Sequence, residues 1–237
     1  DVPDVIVVEL VANALDARAS MISVDYDPVN KILIVTDNGK GMEESQFNQY
    51  HDLAAGLKTR GTGIGFAGVG AKISFNAADQ VITETRSQDF FGASSWRLGE
   101  NNDLAWEDIE ANNLNGTGTR VEVRFRPSTQ PSYNSTDDLK KLLRRHYLPL
   151  FDTQFLGFLD LYGKCDRRLR FVINGDEIYP TELKNSLGLS NVKEFAPKKK
   201  VGGRFGLGFV GLAATEYQLG NDMFGIVLCT HGKVIKS

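Results

Sequence analysis

The chain has 237 residues, 41% of them hydrophobic and 24% charged, enough apolar material for one large core or two modest ones. This composition excludes a disordered chain, a collagen-like repeat and a coiled coil, and a net charge of −3 from 27 basic and 30 acidic residues excludes a polycation built to coat nucleic acid. Two cysteines, Cys165 and Cys229, cannot build a disulfide framework, and no apolar run approaches the roughly 18 residues of a membrane span, so a reducing, intracellular setting, cytoplasmic or nuclear, is expected.

The start of the chain does not read as a signal peptide, and the sequence is expected to begin and end inside a longer protein. Residues 4–19 have apolar positions around most of a helix, with Glu9, Asn13 and Asp16 at i, i+4 and i+7 on one face, which predicts a buried helix with one polar stripe. ISVDYD at 22–27 and KILIVTD at 31–37 predict two strands joined by a Pro-Val-Asn turn, and EESQFNQYHDL predicts a short helix. A glycine cluster follows: 24 of the residues are glycine, about a tenth against the roughly 7% of an average protein. Gly56, Gly61, Gly63, Gly65, Gly68 and Gly70 stand close together in a loop that runs into GFAGVGAKISFNAAD, whose latter half suits a helix. Strands are expected at QVITETR, at ASSWRL and at TRVEVRF (119–125), where polar and apolar residues alternate. The polar stretch after Pro127 reads as a linker or a long loop, with Ser135 or Thr136 to cap the helix DDLKKLLRRHYLPLF. A strand LRFVING, a loop holding Lys198, Lys199 and Lys200, a second glycine cluster (Gly202, Gly203, Gly206, Gly208, Gly211) and a strand FGIVLCT complete the chain.

Four local patterns carry chemistry, and each has a plain structural reading beside it. The stripe on the first helix pairs a carboxylate, Glu9, that can take a proton from water with an amide oxygen, Asn13, of the kind Mg²⁺ accepts beside nucleotide phosphates; alone, such a pair also describes a helix-packing network. Asp37-Asn38-Gly39-Lys40-Gly41-Met42 after a strand reads as a tight turn in which Asn and Gly tolerate positive φ, or as a buried carboxylate accepting from an exocyclic amine such as that of adenine. Gly65-Phe66-Ala67-Gly68-Val69-Gly70-Ala71-Lys72 leaves backbone N–H groups bare for phosphate, yet it is neither a P-loop nor a dinucleotide fingerprint. Gly118-Thr119-Arg120-Val121 heads a strand with a hydroxyl that could reach a base or a water beside it.

Together and in this order these patterns resemble the GHKL superfamily of ATPases, which contains the gyrase B subunit, the ninety-kilodalton heat-shock chaperones, histidine kinases and MutL. The resemblance rests on E-x-x-x-N-x-x-D-A (Glu9, Asn13, Asp16, Ala17), D-x-G-x-G (Asp37, Gly39, Gly41), G-x-x-G-x-G-x-K (Gly65, Gly68, Gly70, Lys72) and G-T-x-V (Gly118, Thr119, Val121). It implies the Bergerat fold, an α/β two-layer sandwich whose mixed sheet is covered by helices on one face, followed here by the start of a transducer-like α/β region. The implied domains are an ATP-binding core at 1–127, the end of the ATPase domain at 128–190 and the beginning of the transducer-like region at 191–237.

Carried over residue by residue, the resemblance makes Glu9 the general base and Asn13 the Mg²⁺ ligand, with Asp16 and Ala17 lining the nucleotide side of the helix. Asp37, with Gly41 and Met42 beside it, would read the adenine amine, and Thr119 would support it. The 61–72 segment, with Gly63, Gly65, Phe66, Ala67, Gly68, Val69, Gly70 and Lys72, would form the ATP lid; Lys72, the second catalytic candidate, and Lys58 would meet phosphate charge. The implied cofactors are ATP and Mg²⁺. The implied partners are a second copy of the chain in the nucleotide-bound state and, by analogy with MORC-like ATPases, MutL and topoisomerase VI B, DNA or a chromatin-type partner of the full-length protein. The form of the first motif is closest in style to that hydrolytic branch. Two alternatives stand beside the ATPase: a histidine-kinase-type phosphotransferase, and an ATP-gated binding module with little turnover. His51, His146 and His231 read as surface or packing residues, and the second glycine cluster reads either as a mobile loop or as a bend and bulge in a sheet.

Overall fold

The computed structural model describes residues 1–50, 77–98, 104–110, 112–161, 163, 165–186, 188–196, 206–213 and 227–236. They divide into two compact units, one of Asp1–Leu143 with Arg168–Ile178 and one of Arg144–Arg167 with Tyr179–Ser237.

The first unit opens with helix α1, Val2–Asp16, which the side chain of Asp1 caps by accepting from Asp4 N–H at 2.9 Å. Its apolar residues Ile6, Val7, Leu10, Val11, Ala14 and Leu15 are buried, as a helix with a single polar stripe requires. The Ile, Val and Leu side chains among them each contribute about 1.5–3 kcal/mol on burial. The helix stops three residues before the expected end. Arg18 takes the left-handed conformation (φ 63°), and Arg18 N–H and Ala19 N–H close back on the carbonyls of Leu15 and Ala14. This is a Schellman ending built without the glycine that usually signals it.

Strands β1 (Met21–Asp27) and β2 (Ile32–Asp37) pair antiparallel as expected, around a turn that the Asp27 carboxylate organises by accepting from Val29 and Asn30. Helix α2 (Glu44–Tyr50) follows, and then strands β3 (Ala78–Arg86), β4 (Phe91–Leu98), β5 (Leu104–Asp108) and β6 (Gly118–Phe125). β5 had no counterpart among the sequence expectations. Helix α3 (Thr136–Tyr147) starts at Ser135, whose hydroxyl accepts from Asp138 N–H while the Asp138 carboxylate accepts from the Ser135 hydroxyl and Asn134 N–H. Replacing Ser135 by alanine is expected to lower stability by about 1 kcal/mol, read as a shift in the urea midpoint at constant slope.

Strands β7 (Arg170–Ile173) and β8 (Asp176–Ile178) complete the sheet. Asn174 (φ 47°) and Gly175 (φ 82°) make the tight turn between them, and the Asn174 side chain accepts from Tyr26 N–H across 148 positions of sequence. Among the described residues eight strands form one sheet in the order β5-β4-β3-β6-β2-β1-β7-β8, antiparallel throughout except where β7 joins β1 in parallel. The sheet is therefore mixed, and with its helices it is the α/β architecture of the Bergerat fold. One face carries Ile22, Val24, Leu33, Val35, Val121, Val123, Phe171 and Ile173, all buried, and α1 packs on β1 and β2.

Among its described residues the second unit holds a 3₁₀ turn (Leu148–Phe151), helix α4 (Thr153–Leu161), the short helix α5 (Leu183–Ser186) and two two-stranded ribbons. Buried Asp152 caps α4 by accepting from Gln154 and Phe155 N–H. The first ribbon pairs β9 (Leu189–Phe195) with β10 (Gly208–Ala213), and its register shifts between Val210 and Leu212, at Gly211. A Cβ on Gly208 would stand 2.4 Å from the Phe195 ring, and one on Gly211 would stand 3.0 Å from the Leu189 side chain. The described part of the second glycine cluster is thus a bulged strand under an aromatic ring, the bend-and-bulge alternative. The second ribbon is the hairpin β11 (Leu228–Thr230) and β12 (Lys233–Lys236), turned by His231 (φ 50°) and Gly232 (φ 86°).

Candidate functional site

Side chains alternate across a strand, and in β2 the inward positions are Leu33, Val35 and Asp37. The last of these slots holds a carboxylate where an aliphatic residue would continue the core. Asp37 pairs with Thr119 on β6, and Thr119 pairs with Thr85 on β3, so three polar side chains lie side by side on adjacent strands. The next row of the same face is Val35, Val121 and Thr83.

Asp37 is 8% exposed. Its Oδ1 accepts from Gly39 N–H at 2.7 Å, and Thr119 N–H also stabilises the carboxylate. Burial nevertheless outweighs both donors and pushes the carboxyl up to about 6 from 3.8. A carboxylate has about four lone-pair sites, so one accepting from two backbone groups keeps acceptor capacity for a further donor. An amine is the group this chemistry suits.

The turn after Asp37 is locked to the end of α1. Lys40 N–H donates to the Ala17 carbonyl at 3.0 Å, and a Cβ on Gly39 would fall 2.6 Å from that same oxygen. Neither Asn38 nor Gly39 has positive φ, which corrects the turn expectation: the glycine is needed for close approach, and Asn38 is a structural clamp. Its Oδ1 accepts from Ser20 and Met21 N–H, and its amide donates to the Ser20 hydroxyl, holding the head of β1. Positive φ appears at Gly41 (70°), where a Cβ would lie 2.1 Å from the Arg86 carbonyl oxygen. Gly118 (φ 143°) presses as closely on the Asp37 carbonyl.

On α1, Glu9 is 7% exposed and Asn13 and Asp16 are half-buried, one helical turn apart on the stripe that ends at Ala17. None of the three is without a partner. The α1 end and the Asp37 turn are therefore one backbone-bonded unit, with Thr119 opposite Asp37. Among the described residues no group of three or more His, Cys, Asp or Glu side chains could hold a metal by itself. Asn13 offers a single neutral oxygen, which fits a magnesium ion that takes its other ligands from phosphates and water. Lys58, Gly63, Gly65, Phe66, Ala67, Gly68, Val69, Gly70 and Lys72 lie outside the described residues, as do Lys198, Lys199, Lys200 and Arg204.

The family described as histidine kinase-, DNA gyrase B- and HSP90-like ATPases matches residues 2–122. The chain belongs to this family. The matched span runs from α1 to the middle of β6 and contains all four sequence patterns, including Glu9, Asp37 and Thr119. For this GHKL-type domain, membership supports ATP binding and an activity of the ATPase or kinase type. No curated protein matches the chain significantly, so membership stops at the superfamily. No helix among the described residues is long and apolar enough to cross a membrane.

Sequence reasoning missed Thr85 as part of this region, and it missed the clamping contacts of Asn38 and of the Ala17 carbonyl. Thr85 is fully buried and its hydroxyl accepts from Met42 N–H at 2.8 Å. The only local signal was its place in the alternation of β3, which cannot reveal a partner 43 residues away.

Proposed function

We propose that this chain is a Mg²⁺-dependent ATPase of the hydrolytic GHKL branch, closest in style to MORC-like, MutL and topoisomerase VI B ATPases. The observation that carries the reading is the inward Asp37, buried beside Thr119 and bonded through its turn to the helix that carries Glu9 and Asn13. In this reading Asp37 accepts from the adenine amine and Thr119 completes the contact to the base. Glu9 takes the proton of the attacking water, and Asp16 and Ala17 border the phosphates. Mg²⁺, held by Asn13, supplies neutralisation of phosphate charge. Phosphoryl transfer to water needs an aligned nucleophile and compensated oxygens rather than a covalent intermediate, which matches a site with one carboxylate base. The 61–72 segment closes as a lid with Lys72 and Lys58 on phosphate, closure favours dimerisation, and hydrolysis resets a clamp acting on DNA or a chromatin-type partner of the full-length protein. Residues 1–127 form the ATP-binding core, 128–190 its end and 191–237 the start of a transducer-like region.

The test is phosphate release with and without Mg²⁺, together with molecular mass with and without a non-hydrolysable ATP analogue. Mg²⁺-dependent release and a doubled mass are expected. Label retained on the protein would replace this reading by a phosphotransferase, and tight ATP binding without release would replace it by a gated binding module.

Asp37 ties affinity to pH. The amine contact needs the ionised carboxylate, so ATP binding weakens as pH falls through about 6, and calorimetry across pH 5–8 reads it. Asp37→Asn is expected to weaken ATP binding roughly ten- to hundredfold at neutral pH, the worth of a hydrogen bond to a charged group, and to abolish that pH dependence. Stability moves the other way. The folded protein holds the Asp37 proton more tightly than the unfolded chain, so this carboxyl costs stability as pH rises from about 4 to about 6, reaching about 3 kcal/mol at neutral pH. Asp37→Asn is therefore expected to be the more stable protein at pH 7.5 and to lose that advantage towards pH 4.

A further inference from the structure

Thr85 sits in the inward row beside Thr119 and is completely buried. A threonine hydroxyl has one proton and two lone pairs. One lone pair takes Met42 N–H at 2.8 Å, which fastens the chain leaving the Asp37 turn to β3. The proton has two acceptors in reach, the Gly118 carbonyl and Thr119 Oγ1, each at 3.3 Å. The choice decides what Thr119 shows to a ligand. If Thr85 donates to the carbonyl, the Thr119 hydroxyl uses their contact only by turning its own proton towards Thr85, leaving lone pairs outward. If Thr85 donates to Thr119, the Thr119 proton is free to point outward.

Asp37 and Thr119 are cross-strand partners, with Cβ atoms about 5 Å apart. Beside a buried carboxylate, outward lone pairs are repelled and an outward proton is favoured. The edge so formed is an acceptor next to a donor. That pattern complements an amine next to a bare ring nitrogen, as on adenine, and opposes the carbonyl and ring N–H of guanine.

We propose that Thr85 is a positioning residue that donates to Thr119, turns the Thr119 hydroxyl outward as a donor and thereby selects adenine over guanine nucleotides at the Asp37 site. This rests on the reading of Asp37 and Thr119 as the base-contacting pair. The experiment compares dissociation constants for ATP and GTP, and kcat, in the wild type, Thr85→Val and Thr85→Ser at pH 7.5, where Asp37 is ionised.

Thr85→Val is expected to lose about tenfold of the preference for ATP, the worth of one hydrogen bond, with kcat at saturating ATP within about threefold of wild type. Thr85→Ser keeps the hydroxyl and restores the preference. A wild-type ratio in Thr85→Val, or a ratio in Thr85→Ser as poor as in Thr85→Val, overturns the proposal. Should Thr85→Val not fold, Thr119→Val removes the outward donor directly, and an unchanged ratio there overturns it equally. Asp37→Asn separates the two levels: wild-type ATP affinity in that variant defeats the reading of the site, whereas weakened affinity alongside an unchanged Thr85→Val ratio defeats only the role of Thr85.

Discussion

Glu9→Ala is expected to bind ATP with wild-type affinity and to release phosphate about 10²–10⁴ times more slowly, the usual worth of a positioned general base. Glu9 is buried in the middle of α1, among Val8, Leu10 and Val11, on the stripe that continues to Asn13 and Asp16. A carboxylate placed there is costly to desolvate, and nothing in helix formation calls for it, because alanine is the better helix former. Alanine preserves the helix, so the Asp37 cluster is expected to stay in place in the folded variant. Calorimetric titration with ATP and single-turnover phosphate release measure the two halves of this result. Glu9→Gln keeps the size and removes the basicity, and is expected to match Glu9→Ala in rate. Phosphate release at the wild-type rate in either variant would take Glu9 out of the chemistry.

Gly118→Ala is expected to cost at least about 3 kcal/mol and to abolish nucleotide binding with it. Gly118 has φ 143°, a region that residues with a Cβ rarely adopt, and an added Cβ would stand 1.9 Å from the Asp37 carbonyl oxygen and 2.9 Å from its carbon. Both are backbone atoms of a paired strand, so neither can swing aside as a side-chain end could. Relief requires β2 and β6 to separate at the pair that aligns Asp37 with Thr119. A fall in the urea midpoint together with loss of the calorimetric ATP signal is the expected pair of readings. Wild-type binding in a folded Gly118→Ala protein would show that the alignment of these strand ends does not matter.

Glycine thus has three different jobs around one carboxylate. Gly39 lets the turn approach Ala17, Gly41 lets it approach Arg86, and Gly118 lets β6 approach Asp37. From sequence alone Gly39 and Gly41 read as turn residues and Gly118 as the head of a strand. All three serve close backbone contact, which fixes the turn that presents the Asp37 side chain.

The parts legible without a structure are those governed by neighbours along the chain. A period of two in β6 sets Thr119 on the face of Val121, Val123 and Phe125, and a period near 3.6 in α1 sets Glu9, Asn13 and Asp16 on one stripe. Turn chemistry announced the β1–β2 hairpin, and four ordered motifs pointed to the superfamily that the matched span shows. The tertiary structure alone decided which strands are neighbours. The parallel insertion of β7 beside β1, the register that sets Thr85 against Thr119, and the clasp of Lys40 on Ala17 join residues tens of positions or more apart. The Phe195 ring over Gly208 follows from the pairing of β9 with β10, and the ending of α1 at Arg18, though local, carries no glycine to signal it. Local propensity is a property of a few residues and can be read from them, whereas strand register and backbone approach are settled by how whole faces pack, which no local window contains.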